Sequence, residues 1–399
     1  MDVNENMKKS AYKFIFLIGI VSLFSDFTYE GARSIIGPYL GLLGASSAAV
    51  GFVSGLGEFI GYAFRIVTGI ISDKTKNYWT MTIIGYGLNL IAIPLLAFVP
   101  EKGWIYACGL ILLERLGKAI RNPSKNTLVS FAASQVGAGK GFALQEALDQ
   151  IGAFLGPVML FIILTLKGGS NTKEAYGLCF LALGITAILA VLVLLISKKL
   201  YPTPESFDKS KEVEGKISFE LPFWLYIAAI SLVAAGFADF PIMSFHLVKE
   251  KIFADNIIPI LYSLAMGVDA VAALFFGWLY DKKGISSLII ATAMSAFFAP
   301  LVFLSTYKVT IIFGIMLWGI GMGAQESILK ATVTNLTSKN RRATAFGIFN
   351  TGFGLFWFLG SYAMGILYGI SIKYLVLFSI ITQAASIPLF YAVDRKNKQ

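Results

Sequence analysis

Apolar residues run along this chain in long blocks separated by short polar turns, not in the strict alternation of half-buried strands. Twelve blocks are long enough, at roughly 20 residues, for a helix to cross a bilayer. They are centred on residues 14–38, 47–71, 79–99, 104–126, 141–166, 176–197, 221–246, 256–280, 286–305, 309–332, 343–369 and 373–393. Most connections are short. The exception follows the sixth block and is rich in Lys, Glu, Pro and Ser, the composition of a solvated linker. The pattern predicts an all-α membrane protein of twelve transmembrane helices in two six-helix, pseudo-symmetric halves. The N-terminal bundle is 1–197, the cytoplasmic linker 198–218 and the C-terminal bundle 219–399.

The polar residues inside the blocks keep to single faces, because positions three, four and seven apart share a helix face. Span one carries Ser22, Asp26, Glu30, Arg33 and Gly37 on one stripe. Span two carries Gly51, Gly55, Glu58, Tyr62, Arg65 and Gly69. Span four carries Glu114, Lys118, Arg121 and Lys125, with Arg115 beside them, and span five carries Gln145, Asp149, Gly152 and Gly156. An ionisable group at mid-membrane costs roughly 2.5–3.5 kcal/mol even on the gentlest scale. Groups in this number must face each other or water.

Depth follows from about 1.5 Å of rise per residue. Asp26, Glu58, Glu114 and Arg115 fall near the midplane, Arg33 toward the outside and Asp149 slightly inward. Arg65, Lys118, Arg121 and Glu146 fall in the cytoplasmic half. A carboxylic group at mid-membrane can bind and release a proton as access alternates. Asp26, Glu30, Glu58 and Arg115 therefore read as proton or solute ligands. Glu30 with Arg33, three apart, and Glu114 with Lys118, four apart, read equally well as intrahelical pairs. The cations toward the cytoplasm, with Glu146 and Asp149, read first as salt bridges of a gate.

The second half is poorer in charge. Its spans hold Asp239, Asp269, Glu326 and Lys330. Asp239 precedes Pro241, which predicts a break in span seven with backbone exposed to a cavity. Span eleven is aromatic, with Phe346, Phe349, Phe353 and Phe356 on one face and Asn350 near it. Such a face is either packing or the wall of a cavity for an amphipathic or aromatic solute, with Asn350, Phe349 and Phe353 as contacts.

Composition agrees with a membrane protein. The chain of 399 residues is 56% hydrophobic and 14% charged, with mean hydropathy +0.73 and formal net charge +10. The basic residues bias the loops more than twofold toward one side, which places both termini and the linker in the cytoplasm by the positive-inside rule. The net charge then needs no nucleic-acid partner. Cys108 and Cys179 fit no metal spacing, and the single histidine, His246, leaves no two-histidine metal site. The first block is long, carries charges and lacks a small-residue cleavage site, so no signal peptide is expected. Gly137-Ala138-Gly139-Lys140-Gly141 imitates a phosphate loop, but the required first glycine is replaced by Ser134 and the Ser or Thr after lysine by Gly141.

The two halves repeat each other. Gly69-Ile70-Ile71-Ser72-Asp73-Lys74 ends span two, and Gly277-Trp278-Leu279-Tyr280-Asp281-Lys282 ends span eight. The run from Gly141-Phe142 to Leu155-Gly156 aligns with that from Ala345-Phe346 to Leu359-Gly360. Parallel six-span halves with a midplane site between them describe one transporter architecture.

With these residues in place, the chain resembles the major facilitator superfamily over nearly its whole length. Gly69-x-x-x-Asp73-Lys74-x-Lys76 resembles that superfamily's loop motif after span two, and Asp281-Lys282 its weaker second copy. Arg115 resembles its buried span-four arginine. Gly152-x-x-x-Gly156-Pro157 resembles a span-five motif frequent in its antiporters. The chain resembles most a largely uncharacterised group of prokaryotic permeases, through Glu114-Arg115-x-Gly117-Lys118-x-Ile120-Arg121. It carries Ser124-Lys125 where that group has Arg-Asp, and Arg65 where it has lysine.

The resemblance implies a secondary active transporter that works by alternating access, in the plasma membrane of a prokaryote, with no cofactor beyond an ion gradient. The expected activity is proton-coupled export of a small organic solute. Transport of an anionic metabolite, an organic acid or phosphate ester, is the alternative. An embedded enzyme or a receptor is more remote, since neither a nucleophile–base pair nor an output domain is evident. Partners are the solute, protons and membrane lipids, and a monomer is the default. Gly69, Asp73, Lys74, Lys76, Arg65, Lys118, Arg121, Glu146, Asp281 and Lys282 are the expected cytoplasmic gate.

Overall fold

The computed structural model describes residues 3–136, 138–168, 172–207, 220–336 and 342–397. Among them the apolar blocks become fourteen α-helices. These are α1 (Val3–Leu42), α2 (Ser47–Thr75), α3 (Tyr78–Leu95), α4 (Trp104–Val136), α5 (Ala138–Leu166), α6 (Lys173–Leu200) and α7 (Leu221–Gly236). There follow α8 (Phe240–Lys249), α9 (Ile257–Lys283), α10 (Ser286–Ser295), α11 (Phe298–Phe303), α12 (Lys308–Asn335), α13 (Arg342–Ile370) and α14 (Ile372–Asn397). Eleven spans among the described residues are long and apolar enough to cross a membrane, α7 with α8 and α10 with α11 each counting as one. The remaining span, α4, has the length at 33 residues. It falls short on apolarity because of Glu114, Arg115, Lys118, Arg121 and Lys125. The all-α membrane fold expected from the sequence is the fold adopted.

Two spans are broken. Pro241, near the start of α8, cannot continue the ladder from α7, and Asp239 caps the new helix by accepting from the Phe240 N–H at 2.9 Å. Span nine breaks at Ala296–Phe297, four and three residues before Pro300. That proline lacks an N–H and its ring clashes with the carbonyl four residues earlier.

By contact, the chain falls into two compact units, Met1–Arg33 with Phe64–Glu212, and Ser34–Ala63 with Val213–Gln399. Both α1 and α2 are therefore shared, and the units do not follow the chain-order division into 1–197 and 219–399. In the first unit, α5 lies so close to α1 that a Cβ on Gly152 would fall on the Leu23 carbonyl, and one on Gly156 on the Phe27 carbonyl. Gly85 and Gly117 allow the same approach of α3 and α4. The start of the expected linker is packed rather than solvated. Pro204–Phe207 form a 3-10 turn, Phe207 is buried near Phe14 and Tyr201, and its carbonyl accepts from Ser134 Oγ at 3.1 Å. Residues 208–218 of that linker lie outside the described residues.

In the second unit, the end of α1 packs on α8, with Gly37 against Pro241 and Ser244, and the start of α2 packs on α13, with Gly51 against Ser361. The break in span seven lies in the core of this unit. Phe237, Ala238 and Asp239 are buried. The Gly236 carbonyl accepts from Ser379 Oγ at 2.6 Å and Gln383 Nε2 at 3.2 Å, and the Ala238 carbonyl from Trp318 Nε1 at 2.9 Å. The break is thus where the sequence predicts it, but its backbone does not open to a cavity. Side chains of α12 and α14 satisfy the groups that the helix releases.

Candidate functional site

The charged stripes of α1, α4 and α5 meet inside the first unit. Arg121 is fully buried, reaches Asp26 at 3.7 Å and lies with its guanidinium 4.3 Å from the centre of the Tyr86 ring. The Asp26 side chain keeps 20% of its surface exposed. Four residues further along α4, Lys125 pairs with Asp149 of α5 at 3.9 Å and donates to Ser22 Oγ of α1 at 3.0 Å. Gln145, one turn before Asp149, donates to its carboxylate at 3.5 Å. Two acid–base pairs therefore tie α4 to the helices on either side of it, α1 and α5.

Deeper in the same unit, Glu114 and Arg115 form a second cluster. Glu114 Oε2 lies 3.3 Å from Arg115 Nε, and Glu114 Oε1 accepts from Asn89 Nδ2 at 2.5 Å. Glu114 is thus engaged by Arg115 and α3, not by Lys118, the partner that spacing alone offers. On an ideal helix, i and i+4 lie near each other, but a carboxylate buried beside a guanidinium and an amide takes the closer donors.

Tyr29 is the hub. Its hydroxyl accepts from Arg115 Nη1 and from Arg33 Nη1, the latter at 3.0 Å. The Arg115 guanidinium lies 4.7 Å from the ring centre and the Lys118 ammonium 3.7 Å. A cation over an aromatic face is attracted by the ring quadrupole, the more so out of water. Lys118 and Glu30 are half-buried, so this cluster reaches the surface of the unit.

The other residues expected at the site fall in the second unit: Glu58, Tyr62, Asp239, Phe349, Asn350 and Phe353. Phe349 and Phe353 are buried and stacked, with centroids 5.7 Å apart. Tyr62 meets the Phe353 ring edge-on at 5.4 Å, and Trp357 lies 5.4 Å beyond. Phe356, on the same expected face, is 39% exposed. The aromatic stripe is thus divided, with Phe349 and Phe353 in packing and Phe356 outside it. Glu58, Tyr62 and Asn350 are half-buried, and Asp239 is the buried cap described above.

Among the expected gate residues, Asp73, Lys74, Lys76, Glu146, Asp281 and Lys282 are exposed, and Gly69 and Arg65 half-buried. Lys76 takes a left-handed conformation (φ 55°) just after α2. The Lys282 ammonium lies 3.9 Å from the Trp278 ring centre. Arg121, expected in the gate, pairs with Asp26, expected as a proton or solute ligand. Of the four second-half charges, Asp269 is buried, Glu326 is exposed, and the Lys330 side chain lies outside the described residues.

Three residues central to this geometry are missing from the sequence stripes: Tyr29, Tyr86 and Asn89. None is charged, and a lone Tyr or Asn in an apolar span carries little signal. One was available for Tyr29, which lies four residues before Arg33 and so shares its face. Lys125 was on the stripe but had no assigned partner.

The comparisons with known proteins agree with this fold. The model of the Major Facilitator Superfamily matches residues 15–361 and 253–399. The chain is 37% identical over 390 residues to an uncharacterised protein of Mycobacterium tuberculosis, covering 96% of this chain and 93% of that one. It is 31% identical over 388 residues to an uncharacterised MFS-type transporter of Methanocaldococcus jannaschii, covering 92% and 91%. Among solved structures, a mutant of the nucleoside transporter NupG superposes with a TM-score of 0.74 at 16% identity, covering 95% of this chain and 98% of that one. A bacterial homologue of the human lysosomal transporter Spinster gives 0.71 at 15% identity, covering 98% and 97%. At such identities the structural likeness speaks for the fold alone.

Proposed function

The chain belongs to the major facilitator superfamily, which makes it a multi-pass membrane transporter of small solutes and not an enzyme; on that premise we propose that it exports an organic solute in exchange for protons. The observation that carries the reading is the Asp26–Arg121 pair. At mid-span, a carboxylate that keeps 20% of its surface exposed and lies 3.7 Å from a fully buried guanidinium is a place where a proton and a cation compete for the same oxygens. Ionised, it is held by Arg121. Protonated, it releases that partner and leaves the buried guanidinium to find another acceptor. The Asp149–Lys125 pair one turn away offers a second such switch on the same helix.

Alternating access couples these states to the direction in which the site opens. Glu30 and Glu58 are further carboxylates for the proton or the solute. Tyr62 and Asn350, half-buried in the second unit, are further candidate contacts for the solute, with Phe349, Phe353 and Asp239 packed around them. Gly69, Asp73, Lys74, Lys76, Arg65, Glu146, Asp281 and Lys282 serve as the cytoplasmic gate, with both chain termini on that side of a prokaryotic plasma membrane. The Gly152–Pro157 run, tightly packed against α1, supports antiport as the mode.

The reading is tested with purified protein in liposomes that enclose a pH-sensitive dye. Addition of a transported solute to one side should move protons across the membrane in the opposite direction. If fluxed solutes leave the dye signal unchanged at every imposed pH gradient, proton coupling is wrong.

A further inference from the structure

We infer that Trp357 of α13 binds the solute through its indole N–H, and that the solute brings to it a planar aromatic ring with a neutral hydrogen-bond acceptor, a ring nitrogen or a carbonyl oxygen. The inference rests on the transporter reading above and narrows it to a substrate class.

Trp357 is 3% exposed, and among the described residues its Nε1 has no hydrogen-bond partner. Buried donors are paired as a rule, and most strictly so within a membrane, where water does not make up the loss. Trp318 of the same unit follows the rule, since its Nε1 donates to the Ala238 carbonyl at 2.9 Å. An indole can donate but not accept. Whatever completes Trp357 must therefore bring an acceptor. That acceptor is neutral, because a charge placed among buried rings, with an indole to hold it, costs more than the bond returns.

The surroundings select a ring. The ring centre of Phe353 lies 5.4 Å from that of Trp357, and the ring centre of Phe237 lies 5.7 Å away. Tyr62 of α2 meets Phe353 edge-on at 5.4 Å. It can lie there because Gly354 has no side chain: a Cβ on Gly354 would stand 2.9 Å from the Tyr62 Cβ. Aromatic faces and edges attract a further ring beyond the area they bury.

The approach runs along one face of α13. Asn350, Phe353 and Trp357 follow at steps of three and four and so share that face. Asn350 and Tyr62 are half-buried, whereas Phe353 and Trp357 are buried. Beside Tyr62, a Cβ on Gly61 would meet nothing within 4 Å apart from its chain neighbours, so α2 leaves space there. The face closes at Ser361, against which Gly51 and Gly55 of α2 are packed. The site therefore ends at Trp357.

The experiment is a thermal-shift titration of the purified full-length protein. The probes are nicotinamide, quinoline and uracil, which are neutral aromatic rings with acceptors. The controls are valerolactam, an acceptor without an aromatic ring, and benzylammonium, an aromatic ring without an acceptor. At least one probe should raise the melting temperature saturably, and the controls should not. Trp357→Phe keeps a ring and removes the N–H, and it should weaken that probe about threefold to tenfold. In NMR spectra of protein isotope-labelled at the indole nitrogens, the same probe should move one of the six tryptophan N–H signals, and the controls none. If Trp357→Phe does not fold, that signal decides alone.

The inference is overturned if none of the three probes stabilises the wild type, if a control binds as tightly, or if no indole signal moves. It is equally overturned if Trp357→Phe leaves the affinity unchanged, as it would were a water alone to serve the indole. Proton-coupled flux of a solute without an aromatic ring, unchanged in Trp357→Phe, sinks this inference and spares the transporter reading. Probe binding at Trp357 without any proton flux does the reverse.

Discussion

Arg121 of α4 lies 3.7 Å from Asp26 of α1, buried on one side by Tyr86 and in backbone contact with Gly85. A guanidinium in that position cannot turn to water when its partner is lost. Asp26→Ala should therefore lower stability by about 3 kcal/mol, the range for a buried charge left unpaired. Asp26→Ala combined with Arg121→Met should recover part of that loss. Thermal unfolding of the two variants beside the wild type measures it.

The contact of α5 with α1 depends on the missing side chains of Gly152 and Gly156. A valine at 152 meets the Leu23 carbonyl and must push the helices apart. Gly152→Val should cost about 2 kcal/mol or more, as overpacking does. Gly87 provides the contrast, since a Cβ there has open space around it within α3. Gly87→Ala should stabilise by about 0.5–1 kcal/mol, the ordinary gain of alanine over glycine in a helix. Opposite shifts in melting temperature are expected.

The broken span seven is held by its neighbours' side chains. Gln383→Leu removes a donor to the buried Gly236 carbonyl, and Trp318→Phe removes the donor to the Ala238 carbonyl. The first should cost less, because Ser379 also donates to Gly236. Trp318→Phe leaves the Ala238 carbonyl without that partner and should cost about 1–3 kcal/mol. Comparison of the two melting temperatures checks the order.

Outside the spans, burial pushes the Asp255 carboxyl up to about 6. A folded pKa above the unfolded one, near 3.9, means that the folded protein binds the proton more tightly. Its stabilising effect is full below about pH 4 and is lost as pH rises through about 6. Asp255→Asn should be insensitive in that window and more stable than the wild type at neutral pH. Melting temperatures between these pH values, in wild type and variant, test the sign.

The sequence was most informative where physics leaves few choices. Apolar blocks must be helices in a membrane, and Asp239 with Pro241 had to break span seven. The stripe of α5 put Gln145, Asp149, Gly152 and Gly156 on one face, where the first two meet and the glycines lie against α1. It was least informative about which stripe meets which. Helical spacing offered Lys118 to Glu114, but the fold supplies Arg115 and Asn89. Spacing describes one helix, whereas pairing depends on the rotation of the next. Tyr29 escaped for a related reason. Its importance lies in three cations contributed by two helices, and nothing in its own neighbourhood announces them. The break in span nine had a signal in Pro300, placed inside an otherwise continuous apolar block.

The central claim is that Asp26 carries the coupled proton. The most direct measurement compares two modes of transport in proteoliposomes for wild type and Asp26→Asn, with the same labelled solute. Asparagine keeps the shape and can still accept from Arg121, but it cannot ionise. The account predicts that Asp26→Asn loses uptake driven by a pH gradient while solute exchange across the membrane, with no gradient, survives. Full gradient-driven transport by Asp26→Asn would contradict it.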